Sequence, residues 1–111
     1  ATLPRFSSKG LSIEEGESLL ERSDKLAVEA RDSFWNSVKR NLGNRNRRAL
    51  VVASIGSYGA YLVDGSKYSG CYGPDVNLKK LKDFHHRRLQ VLVEAGPNLL
   101  AFETIPNKVE A

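Results

Sequence analysis

The sequence holds a single cysteine, Cys71, among 111 residues. One thiol cannot close an intramolecular disulfide, so the covalent staple of small secreted domains is excluded and a reducing, cytoplasmic setting is expected. Long apolar runs are missing as well. The longest span only a few residues, against the roughly 20 that a membrane-crossing helix needs, so no membrane partner is expected. No cationic amino-terminal stretch leads into an apolar core and a small-residue cleavage site, so a secretory leader is not expected either. A large excess of one charge sign is also missing. Lys and Arg number 17 against 13 acids, a formal net charge of +4. The bases fall mainly on two predicted helices and one loop, where solvated faces account for them. No nucleic-acid-binding signature with interleaved aromatics is present, so no nucleic-acid partner is expected.

Several chemical motifs are absent too. Residues 56–59 (GSYG) lack the third glycine of a dinucleotide fingerprint, and no Gly-Lys-Ser/Thr follows as in a phosphate loop. Cys71 has no second cysteine at metal-ligand spacing, so no metal ligand is assigned within the chain. No Ser/His/Asp trio carries a local signature, and no catalytic residue is assigned. His85 and His86 are adjacent on a predicted helix and point in different directions, which makes a shared metal a poor reading and a helix-face pair the better one.

What is present is an ordinary globular composition, 41% hydrophobic and 27% charged, at the size of one small domain. Residues 98–107 (NLLAFETIPN) are the most informative stretch. Leu99, Leu100, Ala101 and Phe102 show no period-2 alternation, so both faces of this segment call for burial, as in a parallel strand covered by helices. The run stops at Glu103. In an open α/β sheet or a (β/α) barrel the carboxyl ends of the strands face the ligand, which makes Glu103 a site candidate. Its possible roles are a catalytic base, a ligand for a substrate ammonium, or a partner of a base in a ring of strand-end charges.

Residues 1–10, broken by Pro4 and Gly10, read as a connecting loop. Ser12 and Glu15 form an S-x-x-E capping box that opens a long amphipathic helix over residues 12–40. Its apolar stripe comprises Leu19, Leu20, Leu26, Ala27, Ala30, Phe34 and Val38. Residues 41–48, with Gly43 and three arginines, read as a surface turn. Residues 49–55 (ALVVASI) read as a second buried strand, ending in Gly56, Ser57, Tyr58, Gly59 and Ala60. Glycine there permits either close backbone approach to a ligand or a tight turn. Residues 61–76 form a long loop of the kind that tends to be functional. Asn77 caps the next helix, whose stripe is Leu78, Leu81, Phe84, His85, Leu89, Leu92 and Val93, and Gly96 with Pro97 stops it. Residues 109–111 open a further helix.

The order helix, strand, helix, strand describes one right-handed βαβ unit with an extra helix in front. Two strands cannot cover the apolar faces of both helices and also protect their own edges. The chain is therefore expected to be a piece of a larger barrel or doubly wound sheet.

The strings GLSIEEGESLL, VVASIGSYGAYLVDGSKYSG and LKDFHHRRLQVLVEAGPNLLAFETIPNKVEA together resemble the homocysteine S-methyltransferase family, in particular the plant enzymes that use S-methylmethionine. The resemblance covers nearly the whole chain, and ASIGSYGAYL with AFETIPN carries most of its specificity. It implies an α/β fold, a partial (β/α)8 TIM barrel. Residues 1–111 would be part of a single homocysteine-binding barrel domain, incomplete at both ends, and the two strands would be its third and fourth. The implied reaction moves a methyl group from S-methylmethionine, or S-adenosylmethionine, to homocysteine, giving methionine. The family's zinc, held by three cysteine thiolates on later strands, has no ligand here. Cys71 falls where relatives usually carry another residue, so no metal role transfers to it. Glu103 matches the glutamate that binds the homocysteine amino group, where a carboxylate gives an ammonium a charge-assisted partner. Thr104, Ser57, Tyr58 and Gly59 would line the pocket, with Tyr58 an aromatic candidate near the sulfonium. On this reading the chain by itself is inactive. The alternative is a non-catalytic truncated product acting as an interaction module through its exposed sheet edges.

Overall fold

The computed structural model describes residues 1–39 and 47–111. In chain order they form α1 (Leu3–Ser7), α2 (Ile13–Val38), β1 (Val52–Gly56), α3 (Tyr58–Leu62), α4 (Ser66–Ser69), α5 (Leu78–Ala95) and β2 (Leu99–Glu103). The strands pair in parallel, with Val52 opposite Leu99 and Gly56 opposite Glu103. A helical crossover joins them, as a parallel pair requires.

The helix ends follow their capping chemistry. Ser12 Oγ accepts from the Glu15 amide at 3.1 Å while the Glu15 carboxylate accepts from the Ser12 amide at 2.8 Å, the full capping box. Asn77 Oδ1 accepts from the Lys80 amide at 3.0 Å to start α5, and Gly96 at φ 84° ends it in the left-handed conformation. One side chain sets the amino ends of both strands. Asn98 Oδ1 accepts from the Val51 amide at 2.9 Å and from Arg31 of α2 at 2.6 Å.

Strand alternation then decides the core. Ala53 and Ile55 point to one face and are buried with Leu20 of α2 and Val91 and Leu92 of α5, with Leu3, Phe6, Leu89 and Leu100 packed around them. Val52 and Ser54 point to the opposite face, which no helix covers, and stay exposed. A bidentate contact from Arg87 to Glu17, at 2.5 and 2.6 Å, ties α5 to α2 on the outer surface.

The structure differs from the sequence reading at several points. Residues 1–10 are not a bare loop: Thr2 caps α1, and Pro4 sits in its first turn, where a missing N–H costs nothing. The segment after β1 holds two short helices instead of one long loop. Only one sheet face is covered, so β2 is half-exposed; on the covered side Phe102, the register partner of buried Ile55, is still 60% exposed. On α2, Leu20 is buried while Leu19, Leu26 and Phe34 face outward. On α5, Val91 and Arg88 are buried in place of Leu78 and Val93. Residues 108–110 form a hydrogen-bonded turn, with Asn107 Oδ1 accepting from the Val109 and Glu110 amides as a helix cap does. The expected helix end at Arg40 and most of the expected 41–48 turn lie outside the described residues.

Candidate functional site

The carboxyl ends of β1 and β2 lie side by side, and every candidate residue falls there. Glu103 is the last residue of β2 and is exposed. It shares the helix-free face with Ser54, whose hydroxyl donates to the Glu103 carboxylate. Thr104 follows at φ 53°, a left-handed conformation rare for a branched residue, and so turns the chain away immediately after the acid. That bend leaves Glu103 at the tip of the sheet.

The residues after β1 are placed differently. Ser57 caps α3, its Oγ accepting from the Ala60 amide at 3.3 Å, and is only 1% exposed. The Tyr58 ring packs on the helix side among Tyr61, Tyr72 and Phe84, meeting Phe84 edge to face at 5.0 Å. Gly59 is buried because α4 crosses it: a Cβ there would lie 2.5 Å from the Lys67 amide nitrogen. Gly70, at φ 71°, brings this segment against the chain beyond β2, where Asn107 Nδ2 donates to its carbonyl at 2.7 Å. Glu103 and Thr104 therefore present themselves at the open edge. Ser57, Tyr58 and Gly59 form the packed turn beside them.

A buried polar cluster stands behind this turn, and the sequence reading missed it. The Glu110 carboxylate, with a fully buried side chain, accepts from the Tyr58 amide, the Tyr72 hydroxyl and His85 Nε2, the last at 2.7 Å. Arg88 Nη2 reaches His85 Nδ1 at 2.7 Å and the Gly56 carbonyl at 2.9 Å. Burial, and then the Glu110 charge, push the Tyr72 phenol up to about 12. Burial lowers the Arg88 guanidinium, and Glu110 opposes that shift. His86, one residue on, is exposed, so the two histidines do not act as a pair. The spacing of His85 and Arg88 on one helix face was a readable signal; nothing local marks Glu110 as their partner.

Among the described residues no group of three or more His, Cys, Asp or Glu side chains is arranged to hold a metal ion. Cys71 is exposed and unpaired, its Sγ 3.8 Å from the Ser69 carbonyl. No described helix is long and apolar enough to cross a membrane.

Parallel strands joined by a helical crossover, with an acid and a tight turn at their carboxyl ends, define an α/β arrangement of the kind in which ligands generally bind at those ends. Comparison with known proteins specifies the kind. The family profile described as Homocysteine S-methyltransferase matches residues 1–111. The chain is 71% identical over its whole length to Homocysteine S-methyltransferase 1 of Brassica oleracea var. italica and 72% identical to Homocysteine S-methyltransferase 1 of Arabidopsis thaliana, covering 34% of each. The crystal structure of the homocysteine methyltransferase MmuM from Escherichia coli, metallated form, superposes with a TM-score of 0.86 at 36% identity, over 99% of this chain and 36% of that one. The chain belongs to the homocysteine S-methyltransferase family, and it spans about a third of the length of the curated relatives it matches.

Proposed function

We propose that this chain forms the third- and fourth-strand portion of a (β/α)8 barrel enzyme that transfers a methyl group from S-methylmethionine, or S-adenosylmethionine, to homocysteine, and that Glu103 binds the homocysteine ammonium. The carrying observation is the setting of Glu103. It stands at the strand tip on the helix-free face, and its partner is the neutral Ser54 hydroxyl; among the described residues no cation pairs with it. A strand-end carboxylate held by a hydroxyl and left without a counter-charge is matched to a ligand that brings one. In a closed barrel the helix-free face becomes the interior, which places Glu103 at the mouth where ligands sit.

In the reaction the methyl carbon–sulfur bond of a sulfonium breaks and one to the homocysteine sulfur forms. The leaving thioether keeps the electron pair, and homocysteine gives up its thiol proton. The part played by this chain is to anchor the acceptor: Glu103 fixes the ammonium, Thr104 bends the chain out of its way, and Ser57 to Gly59 supply a packed wall beside it. The described residues do not fit a zinc site, since Cys71 is alone and exposed. No step here runs through a metal, and the proposal leaves the family's zinc to residues outside this segment. A cytoplasmic setting belongs to the same proposal, in keeping with an exposed, unpaired thiol.

The test is Glu103→Ala in a full-length family member carrying this segment. Losing a hydrogen bond to a charged group should raise the homocysteine KM roughly 10- to 100-fold. An unchanged KM removes Glu103 from the site.

A further inference from the structure

We propose that Glu110 is a positioning residue for the homocysteine site, gripping the turn after β1 from behind with His85 and Arg88 as its second arm. The inference rests on the reading that this edge binds homocysteine.

Arginine can only donate hydrogen bonds. Arg88 Nη2, 2.7 Å from His85 Nδ1, therefore makes that nitrogen an acceptor and puts the imidazole proton on Nε2, facing the Glu110 carboxylate. The same Nη2 holds the Gly56 carbonyl at 2.9 Å. Glu110 in turn holds the Tyr58 amide. The peptide groups before and after Ser57 are thus held by two residues that a neutral imidazole joins. Gly56 is the register partner of Glu103, so the grip is applied directly opposite the proposed ammonium ligand. Tyr72, on the segment that crosses above, gives Glu110 its remaining donor.

Stability alone is a weak reason for this arrangement. Arg88 is 3% exposed and the Glu110 side chain fully buried. Desolvating two charges commonly cancels their attraction, and well-packed apolar residues hold a fold as well or better. What the cluster adds is directionality: each hydrogen-bonded donor and acceptor fixes its partner in one place, although Arg88 Nε is buried with no partner among the described residues. The groups fixed here are the main-chain atoms of the site turn.

The test compares Glu110→Gln, Glu110→Asp and Tyr72→Phe with Glu103→Ala in a full-length family member carrying this segment. Glu110→Gln should raise the homocysteine KM about tenfold and speed amide exchange at Tyr58, because the neutral amide turns an N–H toward groups that are themselves donors. Tyr72→Phe should raise KM by a smaller factor, and the double variant should fall short of the product of the two, since both act through one carboxylate. Glu110→Asp, which keeps the charge, should recover part of the loss. An unchanged homocysteine KM in folded Glu110→Gln overturns the proposal, and Glu103→Ala then shows separately whether the ammonium reading survives. If Glu110→Gln raises KM and Glu103→Ala does not, the grip stands and the role given to Glu103 falls. If Glu110→Gln does not fold, Tyr72→Phe decides: a raised KM supports the grip and an unchanged one overturns it.

Discussion

Tyr72 and Asp24 show how far one residue's surroundings decide its chemistry. Asp24 is buried in α2 with a carboxylate oxygen that has no partner among the described residues, and burial raises its pKa. Tyr72 has a partner, but a negative one, so burial and the Glu110 charge both favour the neutral phenol and carry its pKa to about 12. The sign of the linkage follows. An unfolded tyrosine titrates near 10, so between about pH 10 and 12 the unfolded chain releases a proton that the folded one keeps. The contribution is fully present below that window and is lost as pH rises through it. Urea unfolding of the full-length enzyme should therefore show stability falling across the window, and falling less in Tyr72→Phe. Equal slopes in the two proteins would mean that Tyr72 keeps an ordinary phenol in the fold.

At the scale of elements, the two glycines of the turn joining β1 to α3 differ in what surrounds them. A Cβ at Gly56 meets nothing within 4 Å, whereas a Cβ at Gly59 meets the Lys67 backbone at 2.5 Å. Backbone cannot swing aside as a side-chain end can, so Gly59→Ala should destabilise the enzyme by about 1–3 kcal/mol, the usual range for overpacking. Gly56→Ala should leave the urea midpoint nearly unchanged; equal effects at both positions would show that the α3–α4 crossing is looser than the structure has it. This crossing was not legible in the sequence, because α3 and α4 are too short to show a period. What was legible were features encoded within a few residues of each other: the Ser12 and Glu15 box, the Asn77 cap, the Gly96 stop and the strand ending at Glu103. Pro4 misled because a proline in a first turn and a proline in a loop look alike without the cap beside them. The Glu110 cluster stayed hidden because it joins residues 58, 72, 85, 88 and 110, which only the closed fold brings together.

At the scale of the whole molecule, the balance between core and exposed apolar surface sets the last expectation. The buried cluster is Leu20, Ala53, Ile55, Val91 and Leu92, while Phe34, Leu50 and Phe102 are each at least 60% exposed. The radius of gyration is 17.0 Å, against about 13 Å for a compact domain of this length. A two-stranded sheet with one bare face buries too little apolar surface to offset the entropy of ordering two long helices. Amide exchange on these 111 residues alone should accordingly show weak protection, including in β1 and β2, whose hydrogen bonds depend on helices docked on one side only. In a full-length family member the strands of this segment should be among the slowest to exchange, since further strands and the closed interior would cover the face that Ser54 and Glu103 share. Global protection in the isolated chain would show that the α2, α5 and β1 core suffices by itself, and that the barrel supplies this segment with its site and not with its stability.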